Sequence, residues 1–250
     1  MEKNSNKTHD LKVALVTGGS GGIGHAIVKK LVDNGFAVAV HYSSNKLRAD
    51  TIVNEIVEKG GRAISVGGDI ADEKCMQEAF DIVEEKLGAI DVVVNTAGIM
   101  ILSSIADVNL DDLDKMYRTN IRGTFVISKH AARRVRQGGA IINFSTSVTR
   151  TQLPTYAPYV ASKAAVESMT LILARELRGK DITVNTIAPG PTATPLFLDG
   201  KDKNTIENFA KATPIERLGT PEDIAETVSY LATSGRWING QIIFSNGGLA

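Results

Sequence analysis

Short runs of β-branched and other apolar residues recur along the chain, and segments with the spacing of amphipathic helices separate them. Continuous apolar runs of this length are typical of strands in a parallel sheet that helices cover on both faces. The runs fall at 13–17, 36–40, 63–66, 91–95, 140–144, 182–187 and 241–245, and the helical spacing is clearest at 27–35, 49–61, 75–88 and 166–179. Because parallel crossovers are right-handed, the pattern predicts an α/β fold with a doubly wound, seven-stranded parallel sheet.

Composition sets the size of the fold and excludes several classes of protein. The 250 residues carry 28 basic and 28 acidic side chains, which predicts one domain over 11–250 behind a polar tail at 1–10. The zero net charge argues against a nucleic-acid partner. No apolar stretch is long enough to span a membrane, no His or Cys cluster has metal-ligand spacing, and the single Cys75 has no partner for a disulfide. We therefore expect a cytoplasmic protein with no metal and no membrane partner.

A glycine-rich turn follows the first strand directly and leads into a helix. The turn reads T-G-G-S-G-G-I-G from Thr17 to Gly24. Glycines allow the backbone to approach a pyrophosphate closely, and the helix N-terminus stabilises its charge. The order of strand, turn and helix predicts a Rossmann-like dinucleotide site. The expected contacts are Gly18, Ser20, Gly22, Ile23 and Gly24.

The end of the second strand indicates which dinucleotide is bound. NAD-binding proteins of this fold place a carboxylate there for the ribose 2′-hydroxyl, whereas this strand ends in hydroxyl and amide side chains, with Arg48 a turn later. Such groups bind a 2′-phosphate that a carboxylate would repel, so we expect NADP(H) rather than NAD. The expected contacts here are Tyr42, Ser43, Ser44 and Asn45, joined by Asp69, Ile70, Asn95, Ala97 and Gly98 from the exits of the third and fourth strands.

Tyr159 and Lys163 are four residues apart, which places them on one face of a helix that starts near Pro158. An ordinary tyrosine pKa of about 10 is too high for acid–base catalysis at neutral pH, and a nearby ammonium is expected to lower it. We therefore expect Tyr159 to exchange a proton with substrate during hydride transfer to a carbonyl. A serine hydroxyl beside it would polarise the carbonyl oxygen, and Ser145 and Ser147 are both candidates.

Together these motifs resemble those of the short-chain dehydrogenase/reductase family. The chain carries the family's glycine pattern from Thr17 to Gly24, N-x-A-G from Asn95 to Gly98 and Y-x-x-x-K from Tyr159 to Lys163. Within the family it looks most similar to NADPH-dependent reductases that resemble 3-oxoacyl-carrier-protein reductase and trihydroxynaphthalene reductase. The resemblance implies reduction of a ketone to a secondary alcohol, the ketone being a 3-oxoacyl, quinone-like or other small carbonyl compound.

The resemblance also implies roles for individual residues. Asn120 would orient a water that links Lys163 to solvent, and the spacing to Tyr159 favours Ser145 over Ser147. The exit of the sixth strand resembles the segment that contacts the nicotinamide. Its expected contacts are Pro189, Gly190, Thr192 and Thr194. A homotetramer is expected, paired through the helices that carry Asn120 and Tyr159.

Some features leave alternatives open. Gly21 stands where many NADP-binding relatives have a basic residue, which weakens the preference for NADP. Tyr156 lies seven residues before Lys163 and so matches the spacing of divergent enoyl reductases, which makes alkene reduction an alternative. A catalytically silent NADP-sensing regulatory protein is another, although such proteins tend to lose the Tyr/Lys pair. The segment 190–215 is expected to form the substrate loop, and its apolar residues leave the substrate undefined.

Overall fold

The computed structural model describes residues 11–250, and the predicted tail at 1–10 lies outside them. Seven parallel strands form one sheet in the order β3-β2-β1-β4-β5-β6-β7. They are β1 (Val13–Thr17), β2 (Ala37–Tyr42), β3 (Ala63–Gly67), β4 (Ile90–Asn95), β5 (Ala140–Phe144), β6 (Thr183–Pro189) and β7 (Ile242–Ser245). This doubly wound, single-domain sheet confirms the predicted fold class, and each predicted strand is present.

Helices cover both faces of the sheet. They are α1 (Gly22–Asp33), α2 (Lys46–Glu58), α3 (Glu73–Lys86), α4 (Leu110–Tyr117), α5 (Gly123–Arg134), α6 (Val148–Thr151), α7 (Ala157–Glu176), α8 (Pro195–Leu198), α9 (Lys203–Ala212) and α10 (Pro221–Ala232), with a π-helical turn (Arg118–Arg122) between α4 and α5. Successive strand side chains point to opposite faces. Ile142 accordingly packs in one apolar cluster and its neighbour Ile141 in the other.

The strand order reverses at β1, which pairs with β2 on one side and with β4 on the other. In a doubly wound sheet this reversal opens a crevice at the carboxyl ends of the two central strands. Thr17 and Asn95 end these strands as register partners, and the Thr17 hydroxyl donates to Asn95 Oδ1 at 2.7 Å. The glycine turn after β1 and the segment after β4 therefore border the same crevice.

The segment 190–215, expected to form the substrate loop, contains two helices. The Thr194 side chain caps α8 by accepting a hydrogen bond from the N–H of Phe197, and Asp202 caps α9 in the same way. Phe197 and Phe209 meet edge to face, with their ring centroids 5.3 Å apart. The two helices have only four and ten residues, so neither carries a long apolar repeat that would reveal it in the sequence.

Within residues 11–250, no helix is both long and apolar enough to cross a membrane. The same part of the chain contains no group of three His, Cys, Asp or Glu side chains that could hold a metal ion. Cys75 is a free, partly exposed thiol near the start of α3.

Candidate active site

The glycine turn after β1 has the shape that a close approach to a phosphate requires. Gly18 has a φ of +63°, which residues with a Cβ atom rarely adopt. A Cβ atom at Gly24 would lie 2.2 Å from the carbonyl oxygen of Gly18, so a larger residue does not fit there. α1 begins at Gly22 with no side-chain cap and no acidic residue in its first turn, which leaves its N–H groups and positive dipole end to an anion. The turn therefore fits a dinucleotide pyrophosphate.

Most of the predicted nucleotide contacts line one open cleft beside this turn. They are Gly18, Ser20, Gly22, Ile23, Gly24, Ser43, Ser44, Asn45, Asp69, Ile70, Ala97 and Gly98. Arg48 lies in the same wall, at the end where the hydroxyl and amide side chains gather. The hydroxyl, amide and guanidinium groups at this end can donate hydrogen bonds to a phosphate.

Two basic residues that the sequence reasoning missed complete the cleft. Lys115 and Arg118 come from α4 and the π-helical turn and line the wall. An Arg118 guanidinium nitrogen lies 2.5 Å from Asp69 Oδ2, so the carboxylate among the predicted nucleotide contacts is paired with a cation. No local motif marks these residues, since they reach the cleft through the packing of a helix that follows a different strand.

Tyr42 and Asn95 were also expected to contact the nucleotide, but neither lines the cleft. The Tyr42 ring packs on Gly67, where a Cβ atom would lie 2.6 Å from the ring. The Asn95 side chain is buried, and its amide nitrogen donates to the hydroxyl of Thr124 at 3.1 Å. β2 continues through Tyr42, beyond its predicted end, and this extension places the ring against the neighbouring strand.

His41, to which the sequence reasoning gave no role, connects two sides of the cleft. The buried ring accepts a long hydrogen bond of 3.4 Å from the N–H of Gly18 at Nδ1, and its Nε2 lies 3.1 Å from the carbonyl oxygen of Gly68. A neutral ring with the proton on Nε2 satisfies both partners. Burial lowers the pKa of His41 to about 4. The ring therefore stays neutral near physiological pH and holds the glycine turn beside the β3 exit.

Tyr159 and Lys163 lie in the first turns of α7, which begins at Ala157. Both side chains are buried, and Lys163 Nζ lies 5.8 Å from the centroid of the Tyr159 ring. Burial raises the pKa of Tyr159, with a further rise from nearby Tyr156, and burial lowers the pKa of Lys163 to about 8. Both shifts have burial as their main cause, because desolvation disfavours the charged form of each group. Tyr159 is held as a protonated phenol, the form that donates a proton.

Asn120 lies in the π-helical turn and joins the β4 exit to α7. It is fully buried, and its Oδ1 accepts from the N–H of Ile99 at 2.9 Å. Its Nδ2 donates to the carbonyl oxygen of Ile99 at 2.9 Å and to Ser162 Oγ at 3.0 Å. A Cβ atom at Gly98 would lie 3.1 Å from Asn120 Oδ1 and 3.2 Å from Lys163 Nζ. Glycine at this position therefore lets the asparagine and the lysine converge.

The two candidate serines follow β5 and form different hydrogen bonds. Ser145 Oγ donates to Glu167 Oε1 at 2.6 Å, whereas Ser147 Oγ donates to the carbonyl oxygen of Ala188 at 3.2 Å. Both serines line the cavity that Tyr159 also lines. Burial and location therefore place both of them in the site.

This cavity adjoins the nucleotide cleft. The residues that border both spaces are Ile23, Thr96, Gly98, Phe144, Thr194 and Leu196. The predicted nicotinamide segment lines the cavity through Pro189, Gly190, Thr192 and Thr194. A group bound across the shared border would lie next to Tyr159.

The outer wall of the cavity is apolar and comes from distant parts of the chain. It contains Met100, Leu153, Leu196, Phe197, Phe209 and Leu249. The segment 190–215 supplies three of these residues, as expected for the substrate loop. Met100, Leu153 and Leu249 have no sequence signal, because only the tertiary fold brings them here. Of the described residues that line the cavity, Lys163 is the only one with an acidic or basic side chain.

Comparisons with known proteins extend these observations over nearly the whole chain. A family model described as enoyl-(acyl carrier protein) reductase matches residues 18–250. A short-chain type dehydrogenase/reductase of Picea abies is 42% identical over 95% of this chain and 92% of its own length. An NADPH-dependent aldehyde reductase-like chloroplastic protein of Arabidopsis thaliana is 40% identical over 95% and 93% of the two chains. The solved structure of the angucycline C-6 ketoreductase LanV with bound NADP is 34% identical, with a TM-score of 0.90 over 95% of each chain.

The sequence identity to these relatives covers almost the full length of the chain. It indicates the same family as the motifs and as the position of α7 beside the cleft. The resemblance inferred from the sequence is confirmed. The chain belongs to the short-chain dehydrogenase/reductase family of NAD(P)-dependent oxidoreductases.

Proposed function

We propose that the protein uses NADPH to reduce a ketone to a secondary alcohol. The observation that carries this proposal is the position of Tyr159 and Lys163 in the wall of an apolar cavity that shares its border with the nucleotide cleft. When bound, NADPH supplies the hydride for the carbonyl carbon. The chain itself must hold the carbonyl group, exclude water and provide the proton.

The site residues suit these tasks. Tyr159 donates its phenolic proton to the carbonyl oxygen, and its raised pKa keeps that proton in place until negative charge develops. Lys163 has a pKa of about 8 and is largely protonated at neutral pH, so it stabilises the tyrosinate that forms. Ser145 or Ser147 holds the carbonyl oxygen, and Asn120 orients a water that returns a proton through Lys163.

NADPH is proposed in preference to NADH. Ser43, Ser44, Asn45 and Arg48 lie together in the cleft wall, and the carboxylate of Asp69 is paired with Arg118. A 2′-phosphate at this end would accept hydrogen bonds from the serine and asparagine side chains and pair with the Arg48 cation. The Asp69 carboxylate would repel it less, because that carboxylate is paired with Arg118. The NADPH-dependent Arabidopsis relative and the NADP-bound ketoreductase support the same choice.

The cavity supports an uncharged substrate with an apolar or aromatic body. Serine, threonine and tyrosine hydroxyls and Lys163 supply its polar groups, while Met100, Phe197, Phe209 and Leu249 form the outer wall. A charged substrate would lose its hydration there without finding a counter-ion other than Lys163. Small ketones, quinone-like compounds and the acyl part of a 3-oxoacyl thioester all fit this description.

We also propose that the protein assembles as a homotetramer and is located in the cytoplasm. A homotetramer is supported by Phe125 on α5 and Ile172 on α7, which are each 57% exposed although both are large and apolar. A cytoplasmic location is supported by the free thiol of Cys75, which suits a reducing compartment. The name of the Arabidopsis relative makes the chloroplast the alternative compartment.

Alkene reduction is a second candidate because Tyr156 lines the same cavity and the matching family model is described as an enoyl reductase. Benzylideneacetone separates the two reactions, since it offers a ketone and a conjugated alkene in one apolar, aromatic molecule. Benzylacetone, which has the ketone alone, is the matched control. Purified protein is incubated with NADPH and each compound, and the products are separated by chromatography.

We expect the allylic alcohol from benzylideneacetone and the saturated alcohol from benzylacetone. Benzylacetone formed from benzylideneacetone would instead establish alkene reduction. Tight NADPH binding without reduction of these compounds, or of a panel of aldehydes, quinones and 3-oxoacyl thioesters, would contradict the proposal and favour the silent regulatory protein.

A further inference from the structure

Glu167 is a buried carboxylate that contacts one of the two candidate serines, and the proposed reaction gives it no role. It lies on α7 one turn after Lys163 and is 6% exposed. Its Oε1 accepts the hydroxyl proton of Ser145 at 2.6 Å and lies 2.9 Å from Thr149 Oγ1. A buried carboxylate is costly unless hydrogen bonds and cations compensate it, so its presence here requires a reason.

The nearest cation is at the edge of the protein. An Arg150 guanidinium nitrogen lies 3.8 Å from Glu167 Oε2, and the Arg150 side chain is about half exposed. The same guanidinium lies 5.4 Å from the centroid of the Phe244 ring. Glu167 is therefore neutralised from the outside, while its inner oxygen is occupied by the two hydroxyls that follow β5.

Glu167 belongs to a series of three hydrogen bonds that fixes α7 against the end of β5. Lys163 Nζ donates to the carbonyl oxygen of Phe144 at 2.9 Å, and Asn143 Nδ2 donates to Thr170 Oγ1 at 3.0 Å. Together with the bond from Ser145 to Glu167, these bonds join three consecutive residues at and just after the end of β5 to helix residues spaced four and three apart, which lie on one face of α7. This series sets where the strand exit stands relative to the helix that carries Tyr159.

The two serines differ in how readily each hydroxyl proton can be donated to a substrate oxygen. A serine hydroxyl has one proton, and that of Ser145 is donated to a carboxylate at short distance, in a charge-assisted bond. Ser147 donates to a neutral carbonyl oxygen, that of Ala188, at 3.2 Å, which is a long bond for a hydroxyl donor. Exchanging this weaker bond for one to a substrate oxygen costs less than removing the Ser145 proton from Glu167.

We infer that Glu167 is a positioning residue of the reductase site: it binds the Ser145 hydroxyl, fixes the β5 exit against α7 and leaves Ser147 as the hydroxyl that donates to the substrate carbonyl. This inference rests on the proposed carbonyl reduction. Ser145 is then an anchor, and Ser147 is the catalytic residue of the pair.

The test compares variants of the purified full-length chain with benzylacetone and NADPH. Glu167→Gln keeps the shape but removes the charge, and Ser145→Ala removes the donor. Ser147→Ala and Thr146→Val remove the neighbouring hydroxyls. Glu176→Gln, an exposed carboxylate at the end of α7, is the matched control. For each variant kcat, KM, the dissociation constant for NADPH and the midpoint of thermal unfolding are measured.

Loss of a donor to the developing oxyanion should lower kcat of Ser147→Ala by about 10²–10³-fold with little change in nucleotide binding. Glu167→Gln and Ser145→Ala keep the Ser147 hydroxyl but misplace it relative to the substrate. The kcat of each variant should therefore fall by roughly 10-fold to 100-fold. The double variant Ser145→Ala, Glu167→Gln should be no slower than Ser145→Ala alone, because Ser145→Ala already removes the bond through which the Glu167 charge acts on the serine. Glu176→Gln should behave as the wild type.

Several results would overturn the inference. If Ser145→Ala loses far more turnover than Ser147→Ala, Ser145 is the donor; if Thr146→Val shows the largest loss, Thr146 is. Turnover of Glu167→Gln equal to that of Glu176→Gln removes the positioning role. A wild-type protein that reduces no carbonyl overturns the proposed function and the catalytic part of this inference together. In that case the unfolding midpoints still test the anchor. If the decreases caused by Ser145→Ala and by Glu167→Gln add up in the double variant, the two residues act independently and the anchor is excluded. If the double variant shows less than the sum, the anchor is retained.

Discussion

Lys163 Nζ donates a hydrogen bond to the carbonyl oxygen of Phe144 at 2.9 Å, which joins α7 to the last residue of β5. Phe144 also borders both the nucleotide cleft and the adjoining cavity. The ammonium is therefore held at the junction where a hydride acceptor and a proton donor must meet. Its protonation state should control the reaction.

We expect kcat for carbonyl reduction to fall as the pH rises through about 8, where buried Lys163 loses its proton. Below that pH the ammonium stabilises the phenolate that forms on Tyr159, and above it the neutral amine does not. The check is the pH profile of kcat for the wild type and for Lys163→Met, which should be slow at every pH. Lys59→Met, at an exposed position, should keep the wild-type profile. A flat wild-type profile across this range would contradict the prediction.

Tyr159→Phe should lose turnover by about 10²–10⁴-fold, since it removes the proton donor. NADPH titration should show that the variant still binds the nucleotide, because the cleft wall does not include this side chain. Tyr156→Phe is the matched control, as its hydroxyl lines the same cavity three residues earlier. Loss of activity in Tyr156→Phe alone would favour the enoyl reductase alternative.

NADPH should bind more tightly than NADH, and Ser43→Asp should reverse the preference. The introduced carboxylate repels a 2′-phosphate and accepts a hydrogen bond from a 2′-hydroxyl. Ser234→Asp, on an exposed turn outside the cleft, adds the same charge without the contact. Fluorescence titration with both nucleotides measures the change. Coincident NADPH and NADH curves for the wild type would rule out the preference.

His41 should make the folded chain sensitive to acid. Its pKa is 6.5 in an ordinary setting and about 4 in the folded protein. Between these values the unfolded chain binds the proton and the folded chain does not, so stability falls as the pH falls, by roughly 3 kcal/mol in total. Above the upper value both states are neutral and the effect disappears.

Thermal unfolding of the wild type and of His41→Gln across that pH range checks the prediction. Glutamine offers hydrogen bonds without titrating, so its unfolding midpoint should depend less steeply on pH. His25→Gln, at a partly exposed position, should change the slope less. Parallel curves for the wild type and His41→Gln would show that the buried ring is not the source of the acid sensitivity.

The wild type should sediment as a tetramer, or at least as a dimer, at micromolar concentration. Phe125 and Ile172 are exposed apolar side chains on the helices that the family resemblance pairs, and glutamate at both positions would bury charge in that interface. The double variant should sediment as a smaller species. Val57→Glu is the control, since Val57 is 53% exposed on α2. A wild type that is fully active as a single chain would contradict the prediction.

The sequence predicted the fold well because its signals are local. Each strand is a continuous apolar run, and alternation with helices fixes a parallel sheet without knowledge of any distant contact. The glycine turn and the Tyr159–Lys163 pair are local in the same sense. Their meeting follows from the strand order, which right-handed crossovers restrict to a few possibilities.

The features that the sequence did not reveal depend on contacts between distant residues. His41 reaches Gly18 and Gly68, and Leu249 reaches the cavity from the end of the chain. The direction of the Tyr159 pKa shift depends on how completely the phenol is buried, which the spacing to Lys163 does not show. Side-chain partners and desolvation are properties of the packed structure.

The π-helical turn at Arg118–Arg122 contains one residue more than a regular α-helix would place there. Deleting a single residue from it would restore regular α-helical winding, and the side chains within the turn would then point in new directions. Asn120 would then lose its alignment with Ile99 and Ser162. The segment therefore constrains the number of residues more tightly than the identity of most of them: exchanges at its exposed positions are compatible with the site, whereas a change in length is not.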